Sequence, residues 1–465
     1  MSQFTQAHLA SSLLFMRSTV TNPFVEIFDL IPSDRIYIQN AFEKITYGDV
    51  KLSISLFSQQ YSYLAGKNCA LITYSRFELA KILPLIASTA NKIFLQPRCL
   101  KEEVEKEFYT KSCIEYVINV TDFGINATKL SDVNHAEDLE QEWLLSTSGT
   151  TGTPKLISYK LASLMKTSKK DLTKGANFKW GLCYDLNRFA GLQVYLQAIA
   201  SGSSLTISES SDELSDSVKM FIDKNVNCLS ATPSFWRIIL MTKGSQSLNL
   251  KRITLGGEIS DQTVLNSLKK HYENAHIVHI YASTEAGVGF SVKDGFAGFP
   301  LDYIGPSKSS SVELKIVNDT LWINNDSAAS AILNGAIEID IAGFINTGDI
   351  VEIQNDRVLF IGRDSGTINV GGNKVIPEEI EAILNSHPNV IQSKVFGKKN
   401  PILGMLVNAE VISENPLNID EKKAFKKELL SFCKGKLESF KIPAIVKFVE
   451  NIAVNESGKI VRNNE

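Results

Sequence analysis

Short apolar strands alternate with helical segments from Leu52 to Tyr281, and this alternation leaves few architectures open. Cys69–Thr73, Ile93–Leu95, Tyr116–Val120, Gly181–Tyr184, Ser204–Ile207, Cys228–Ala231, Ile253–Leu255 and Ile277–Tyr281 read as strands. Between them, Leu52–Ala65, Phe77–Ala87, Leu192–Ala200, Ser217–Lys224, Pro233–Leu240 and Asp261–His271 carry helical spacing. Parallel strands need long crossovers, usually helices, so the pattern predicts an α/β fold on mostly parallel sheets. Near Gly305 the texture changes. Val312–Val317, Thr320–Ile323, Ala336–Ile341, Asp349–Ile353 and Val358–Ile361 are short β-like runs that predict a small β-rich subdomain. Beyond Arg363 come two helices, Pro377–Asn385 and Glu421–Leu437, with strands near Lys394–Phe396, Val407–Val411 and Val446–Phe448. The expected organisation is a large domain over 1–363 and a small α+β domain over 364–465.

Composition removes several function classes. With 465 residues, 44% of them apolar, the chain can bury a large core without staples. The formal net charge of −3 argues against a general nucleic-acid surface. The 6 cysteines include no CxxC pair, so neither a zinc ribbon nor a disulfide framework is expected. Leu13–Met16 is a brief apolar run broken by Arg17 with no cationic segment before it, unlike a signal peptide. No run reaches the ~18 apolar residues of a membrane span. A cytoplasmic protein with no transmembrane segment is expected. His276 and His279 lie three apart on a strand, facing opposite ways, and do not read as a metal pair.

Six segments carry chemistry. Ser146-Thr147-Ser148-Gly149-Thr150-Thr151-Gly152-Thr153-Pro154-Lys155 follows the apolar Trp143-Leu144-Leu145. Its glycines let backbone N–H groups approach a ligand, its hydroxyls donate to phosphate oxygens, and Lys155 adds positive charge. It suits a polyphosphate but lacks the GKS or GKT ending of a Walker A loop. Gly256-Gly257-Glu258 follows one strand, and its glycines admit a flat ligand close to the backbone. Tyr281-Ala282-Ser283-Thr284-Glu285 ends another. There Tyr281 suits stacking on a base, Thr284 a phosphate contact and Glu285 a Mg2+ ion. Asp349, after the Asn346-Thr347-Gly348 turn, suits two ribose hydroxyls. Gly362-Arg363-Asp364-Ser365-Gly366 reads as a hinge, and the helix opening Pro377-Glu378-Glu379-Ile380-Glu381 as acid-rich. Near the end, Asn455-Glu456-Ser457-Gly458-Lys459-Ile460-Val461-Arg462 sets a lysine after a glycine.

Taken together, these segments resemble the adenylate-forming superfamily of AMP-dependent acyl-CoA synthetases, peptide-synthetase adenylation domains and luciferases. The likeness runs from Ile45-Thr46-Tyr47-Gly48 to Arg462. It implies that a carboxylic acid is joined to ATP with release of pyrophosphate, and that a thiol then displaces AMP. By motif position, Lys459 matches the adenylation lysine, Thr284 the α-phosphate contact and Glu285 the Mg2+ ligand. Asp349 and Arg363 match the ribose contacts, and Tyr281 with Gly257 and Glu258 the adenine slot. The segment Ser146 to Lys155 matches the pyrophosphate loop. Asn187, Phe189, Gly191, Gly256 and Ala282 are placed at the acyl pocket. Asn369, Gly371, Gly372 and Lys374 are placed at the thiol entrance after rotation about Ser365.

Two departures stand out. Ser365 occupies a pivot position where the family usually has Asp or Lys. The family's histidine before the acyl pocket is missing from Tyr184-Asp185-Leu186-Asn187-Arg188-Phe189-Ala190-Gly191-Leu192. The resemblance implies ATP, Mg2+ and a small carboxylic acid, with CoA as thiol acceptor or, alternatively, the phosphopantetheine of a stand-alone carrier protein. A non-ligating nucleotide-binding protein is the contrasting reading. It would lack Lys459, Glu285 or the phosphate loop, all of which are present.

Overall fold

A computed structural model describes residues 23–121, 124–131, 140–147, 154–306, 312–400, 404–454 and 459–462. The described residues form four sheets with helices packed around them. The first sheet orders its strands as Gly287–Val292, His276–Ser283, Arg252–Gly256, Cys228–Ala231, Lys179–Leu182, Ser204–Ile207, Ile36–Gln39 and Lys44–Thr46. Its interior is parallel and both of its edge strands are antiparallel. The second runs Ala331–Ile332, Leu156–Lys160, Glu142–Ser146, Lys92–Leu95, Asn68–Thr73, Tyr116–Thr121 and Gly124–Lys129, again with a parallel centre.

Helices cover both sheets, so the central strands are apolar without alternation, as in Cys69-Ala70-Leu71. Both sheets share one core, in which Phe24, Phe28, Tyr37, Tyr47, Trp143 and Tyr195 are all fully buried or nearly so. The tyrosines stay satisfied there. The Tyr37 and Tyr195 hydroxyls meet at 2.5 Å, and Tyr47 donates to the Ser203 carbonyl at 2.9 Å.

A third, antiparallel sheet orders Phe299–Pro300, Arg357–Arg363, Ile345–Gln354, Thr320–Asn325, Val312–Val317 and Gly305–Pro306. The fourth takes Asn373–Val375, Ile368–Val370, Gly404–Ser413 and Val390–Asn400, with Ile445–Phe448 parallel to Gly404–Ser413. It has its own core, including Ile368, Ile380, Leu384, Val395, Val411 and Leu429, closed by helices Pro377–Asn385 and Ile419–Lys434.

Several elements differ from the sequence expectation. The run Ala336–Ile341 alternates like a strand but is not one. Asp340 accepts from Ala342 N and Phe344 N, both at 2.9 Å, and that turn leaves only an isolated bridge from Ile339 to Ile345. The first long helix spans Tyr47–Gln60 rather than Leu52–Ala65. Thr46 and Asp49 form a capping box that fixes its start early. The antiparallel pair Glu142–Ser146 and Leu156–Lys160 was not expected as a pair. Both strands are buried, and their backbones pair from Glu142 with Lys160 to Ser146 with Leu156.

One buried ion pair ties the two large sheets together. Arg76 Nε bonds Asp185 Oδ1, its Nη1 reaches Ser208 O at 2.9 Å, and both residues are under a tenth exposed. Removing one partner leaves a charge stranded, so Arg76→Ala is expected to cost about 3–5 kcal/mol of stability. Equilibrium urea unfolding checks this, and a loss too small to resolve would contradict it.

Candidate active site

The site gathers at the carboxyl ends of two neighbouring parallel strands, Arg252–Gly256 and His276–Ser283, where ligands of open α/β sheets collect. The first strand leads into Gly257, whose φ of +83° favours glycine, and then Glu258. The second leads through Thr284 to Glu285. From the third sheet come Asp349 and Arg363, directly opposite each other across paired strands. The chain's far end supplies Lys459. A Cβ built on Gly257 would stand only 3.4 Å from Lys459 Cε.

Charges are interleaved here. Arg363 Nε donates to Asp349 Oδ1 at 2.7 Å, and the Tyr281 hydroxyl donates to Asp349 Oδ2 at 2.6 Å. Each carboxylate oxygen keeps a second lone pair for another donor. Asp349 is set by its turn: Gly348 has φ of +69°, and Thr347 Oγ1 accepts from Asp349 N at 3.1 Å. Lys155 Nζ lies 3.7 Å from Glu285 Oε1. Glu258 accepts from Ser234 N and from Ile460 N, each at 3.0 Å. Burial, and the neighbouring Arg363 guanidinium, hold Lys459 below the ordinary lysine value, against the pull of Glu258, Asp349 and Glu285. Asp349 beside it pushes Arg363 up.

Tyr281 sits differently from the expected base-stacking platform. Its ring is stacked near-parallel on Phe290 at 5.1 Å and on Phe360 at 5.2 Å, and its hydroxyl is committed to Asp349. The structure thus joins Tyr281 to the Asp349–Arg363 pair.

The phosphate-loop expectation falls partly outside the described residues: Ser148, Gly149, Thr150, Thr151 and Gly152 are among those not described. Its neck is described. Thr147 N donates to Lys155 O and Lys155 N to Thr147 Oγ1, both at 2.9 Å, which joins the two described ends. Among the described residues, Ser146 Oγ is buried without a hydrogen-bond partner, as is Asn187 Oδ1. Three supports were not picked out from the sequence. Tyr159 donates to the Thr284 carbonyl, Asn334 Nδ2 donates to Pro154 O at 2.9 Å, and Arg188 Nη1 reaches Ser146 O at 3.2 Å. No local pattern marks them, because each acts on a residue far away in the chain.

Around the expected acyl pocket, Asn187 donates to Gln96 O at 3.2 Å and the Phe189 ring lies 5.5 Å from that of Tyr159. Gly191 is required by packing, since a Cβ there would come 2.2 Å from Asp185 O. Ala282 packs against the main core, and a Cβ on Gly256 would stand 3.6 Å from the Ile280 carbonyl. Ser365 lies in the short 3-10 turn Asp364–Gly366. Asn369, Gly371, Gly372 and Lys374 form an exposed hairpin in which Asn369 Oδ1 accepts from Gly372 N at 2.9 Å. Lys374 pairs with Asp364 at 3.3 Å, so this hairpin is not gathered with Lys459. Among the described residues no cluster of three or more His, Cys, Asp or Glu could hold a metal, and no helix is long and apolar enough to cross a membrane. His279 binds the Phe296 carbonyl at 3.0 Å.

The fold and this convergence of glycine turns, carboxylates and a terminal lysine define an adenylate-forming architecture. The chain matches the model of AMP-binding enzymes over residues 88–324 and that of the AMP-binding enzyme C-terminal domain over 379–459, and it belongs to that family. A 2-succinylbenzoate–CoA ligase of Listeria monocytogenes is 25% identical over 460 residues, covering 91% of this chain and 93% of that enzyme. An oxalate–CoA ligase of Arabidopsis thaliana is 28% identical over 72% of this chain and 68% of its own. The fold is shared with o-succinylbenzoate CoA synthetase from Bacillus subtilis in complex with its acyl-adenylate intermediate, with a TM-score of 0.69, 18% identity and coverage of 95% and 97%.

The lowered Lys459 pKa has a thermodynamic consequence. The folded chain sheds this proton before the unfolded chain does, so folding stability gains as pH rises from the lowered value toward 10.5. Unfolding midpoints of the protein and of Lys459→Met across an alkaline series are expected to diverge in that direction. A difference that ignores pH would contradict it.

Proposed function

We propose that the protein activates a small carboxylic acid with ATP, releases pyrophosphate, and passes the acyl group from acyl-AMP to the thiol of CoA. The observation that carries this reading is the position of Lys459. Lys459, far along the chain from Gly257, packs against it among Glu258, Glu285, Asp349 and Arg363. Family membership and the CoA ligases it resembles support the same reaction.

The first step brings two anions together. At ~4 Å their repulsion is roughly 1 kcal/mol in water and several-fold larger in a low-dielectric site. Fixed positive charge offsets it without an acid–base pair. In this reading Lys459 bridges the acid and the α-phosphate, Thr284 contacts that phosphate, and Lys155 with its loop holds the leaving pyrophosphate. Asp349 receives the ribose hydroxyls while Arg363 and Tyr281 orient it. Gly256 and Gly257 leave room for the flat base beside Glu258. The donor set suits Mg2+, which takes one or two carboxylates and substrate phosphates; Glu285 would hold it, adding charge neutralisation at the phosphates. Asn187, Phe189, Gly191 and Ala282 border the acid.

For the second step, residues 364–465 act as a domain turning about Ser365. Lys459 withdraws, and Asn369, Gly371, Gly372 and Lys374 move to the thiol's side. One site then serves two reactions in succession. A reducing cytoplasm suits the 6 free cysteines.

Acid-dependent exchange of labelled pyrophosphate into ATP tests the first step across a panel of carboxylates. CoA and a phosphopantetheinylated carrier protein, supplied in turn, identify the acceptor. Exchange with no acylated thiol would remove the second step, and no exchange with any acid would favour a non-ligating binder. Lys459→Ala is expected to cut exchange by at least about a hundredfold while sparing thioester formation from supplied acyl-adenylate. Equal loss of both would sink the assigned role.

A further inference from the structure

The lysine's own anchorage points to two residues with no assigned part. Lys459 directly precedes Ile460, which forms an antiparallel bridge with Val454, and Val461 N donates to Ala453 O at 3.0 Å. Three residues beyond the lysine, Arg462 reaches into the small domain. Its Nε and Nη2 meet the two oxygens of Glu381 at 3.2 and 2.5 Å, and its Nη1 lies 3.2 Å from Glu378 Oε1. Glu381 is only 6% exposed, and Val395 N donates to it at 2.7 Å, so the carboxylate is held from the strand side as well.

We propose that Glu381 and Arg462 are positioning residues for adenylation, staking the segment 459–462 to the small domain so that Lys459 arrives at one place. Two features favour positioning over simple stabilisation. A buried ion pair adds little stability compared with well-packed apolar residues, whereas a bidentate guanidinium–carboxylate fork fixes direction and register. And the stake is close to the working atom: three extended residues span about 10 Å, so an error at Arg462 is transmitted to Lys459 with little slack. On the other side, Ile460 N is received by Glu258 of the large domain. The lysine is therefore clamped between carboxylates of both domains, Glu381 moving with it and Glu258 staying behind.

This inference rests on the proposed reaction, and its test separates the two. In the full chain, Glu381→Gln, Arg462→Ala and Arg462→Lys are assayed for both half-reactions, with an acid that supports exchange in the parent. Exchange is expected to fall about ten- to a hundredfold through kcat, with KM for ATP little changed, as for a slightly misplaced group. Thioester formation from supplied acyl-adenylate is expected to stay within about twofold, Lys459 having withdrawn by then. Arg462→Lys keeps the charge but not the fork and should not restore exchange. The double variant Glu381→Gln/Arg462→Ala should be no worse than the worse single one, because the two act as a unit. Parallel loss of both half-reactions, or undiminished exchange, overturns the proposal. Hydrogen exchange of the segment 459–462 gives a readout independent of activity: protection present in the parent should be lost in Arg462→Ala under conditions where its small-domain core, with Val395 and Leu429, stays protected. Retained protection overturns the stake even if the parent shows no pyrophosphate exchange, an outcome that would separately remove the functional reading. Should Glu381→Gln fail to fold, the Arg462 variants still decide.

Discussion

The structure turns on a balance of charge around one terminal lysine. Glu258, Glu285 and Asp349 face Lys155, Arg363 and Lys459, three carboxylates against three cations. Burial and Arg363 lower the lysine's affinity for its proton, and the three carboxylates oppose that shift. In the proposed reaction an arriving polyphosphate would meet cations that are already matched, and would have to displace carboxylate partners or bring a metal ion to satisfy them. Glu285, 3.7 Å from Lys155, is where that exchange would be most direct.

The large α/β layers were legible because parallel strands buried on both faces announce themselves as uninterrupted apolar runs. Cys228–Ala231 and Ser204–Ile207 were read to the residue. Pattern failed where local turn chemistry outvoted it. Ala336–Ile341 alternates correctly for a strand, yet the Asp340 side chain folds the backbone into a turn ahead of Gly343. Helix starts were displaced by caps, as at Thr46, whose oxygen rather than the first apolar residue decides where the helix begins.

For the site, glycine-rich and acidic segments stood out because phosphate and ribose chemistry demands unusual residues close together in sequence. Their supports did not stand out. Tyr159 and Thr284 are 125 residues apart, Arg462 and Glu381 81 apart, and neither pair bears any local signature. Tyr281 shows a different limit. Its residue type suits base stacking, but Phe290 and Phe360 take up its ring, and only the fold reveals that its hydroxyl serves Asp349.

Glu258 links these observations. One oxygen receives Ser234 N at the start of helix Pro233–Met241, which fixes the carboxylate to the large domain; the other receives Ile460 N beside the working lysine. The second bond is a single neutral donor on a charged acceptor, worth on the order of 1.5–3 kcal/mol net. Arg237 Nη1 to Ile391 O, at 3.3 Å, is a second, longer contact between the same lobes. Arg462 is tied to its own domain by three contacts, so the segment that carries Lys459 is held from both lobes. If residues 364–465 turn as proposed, the Arg462 contacts would travel with the lysine, while the Ile460 bond to Glu258 would have to break.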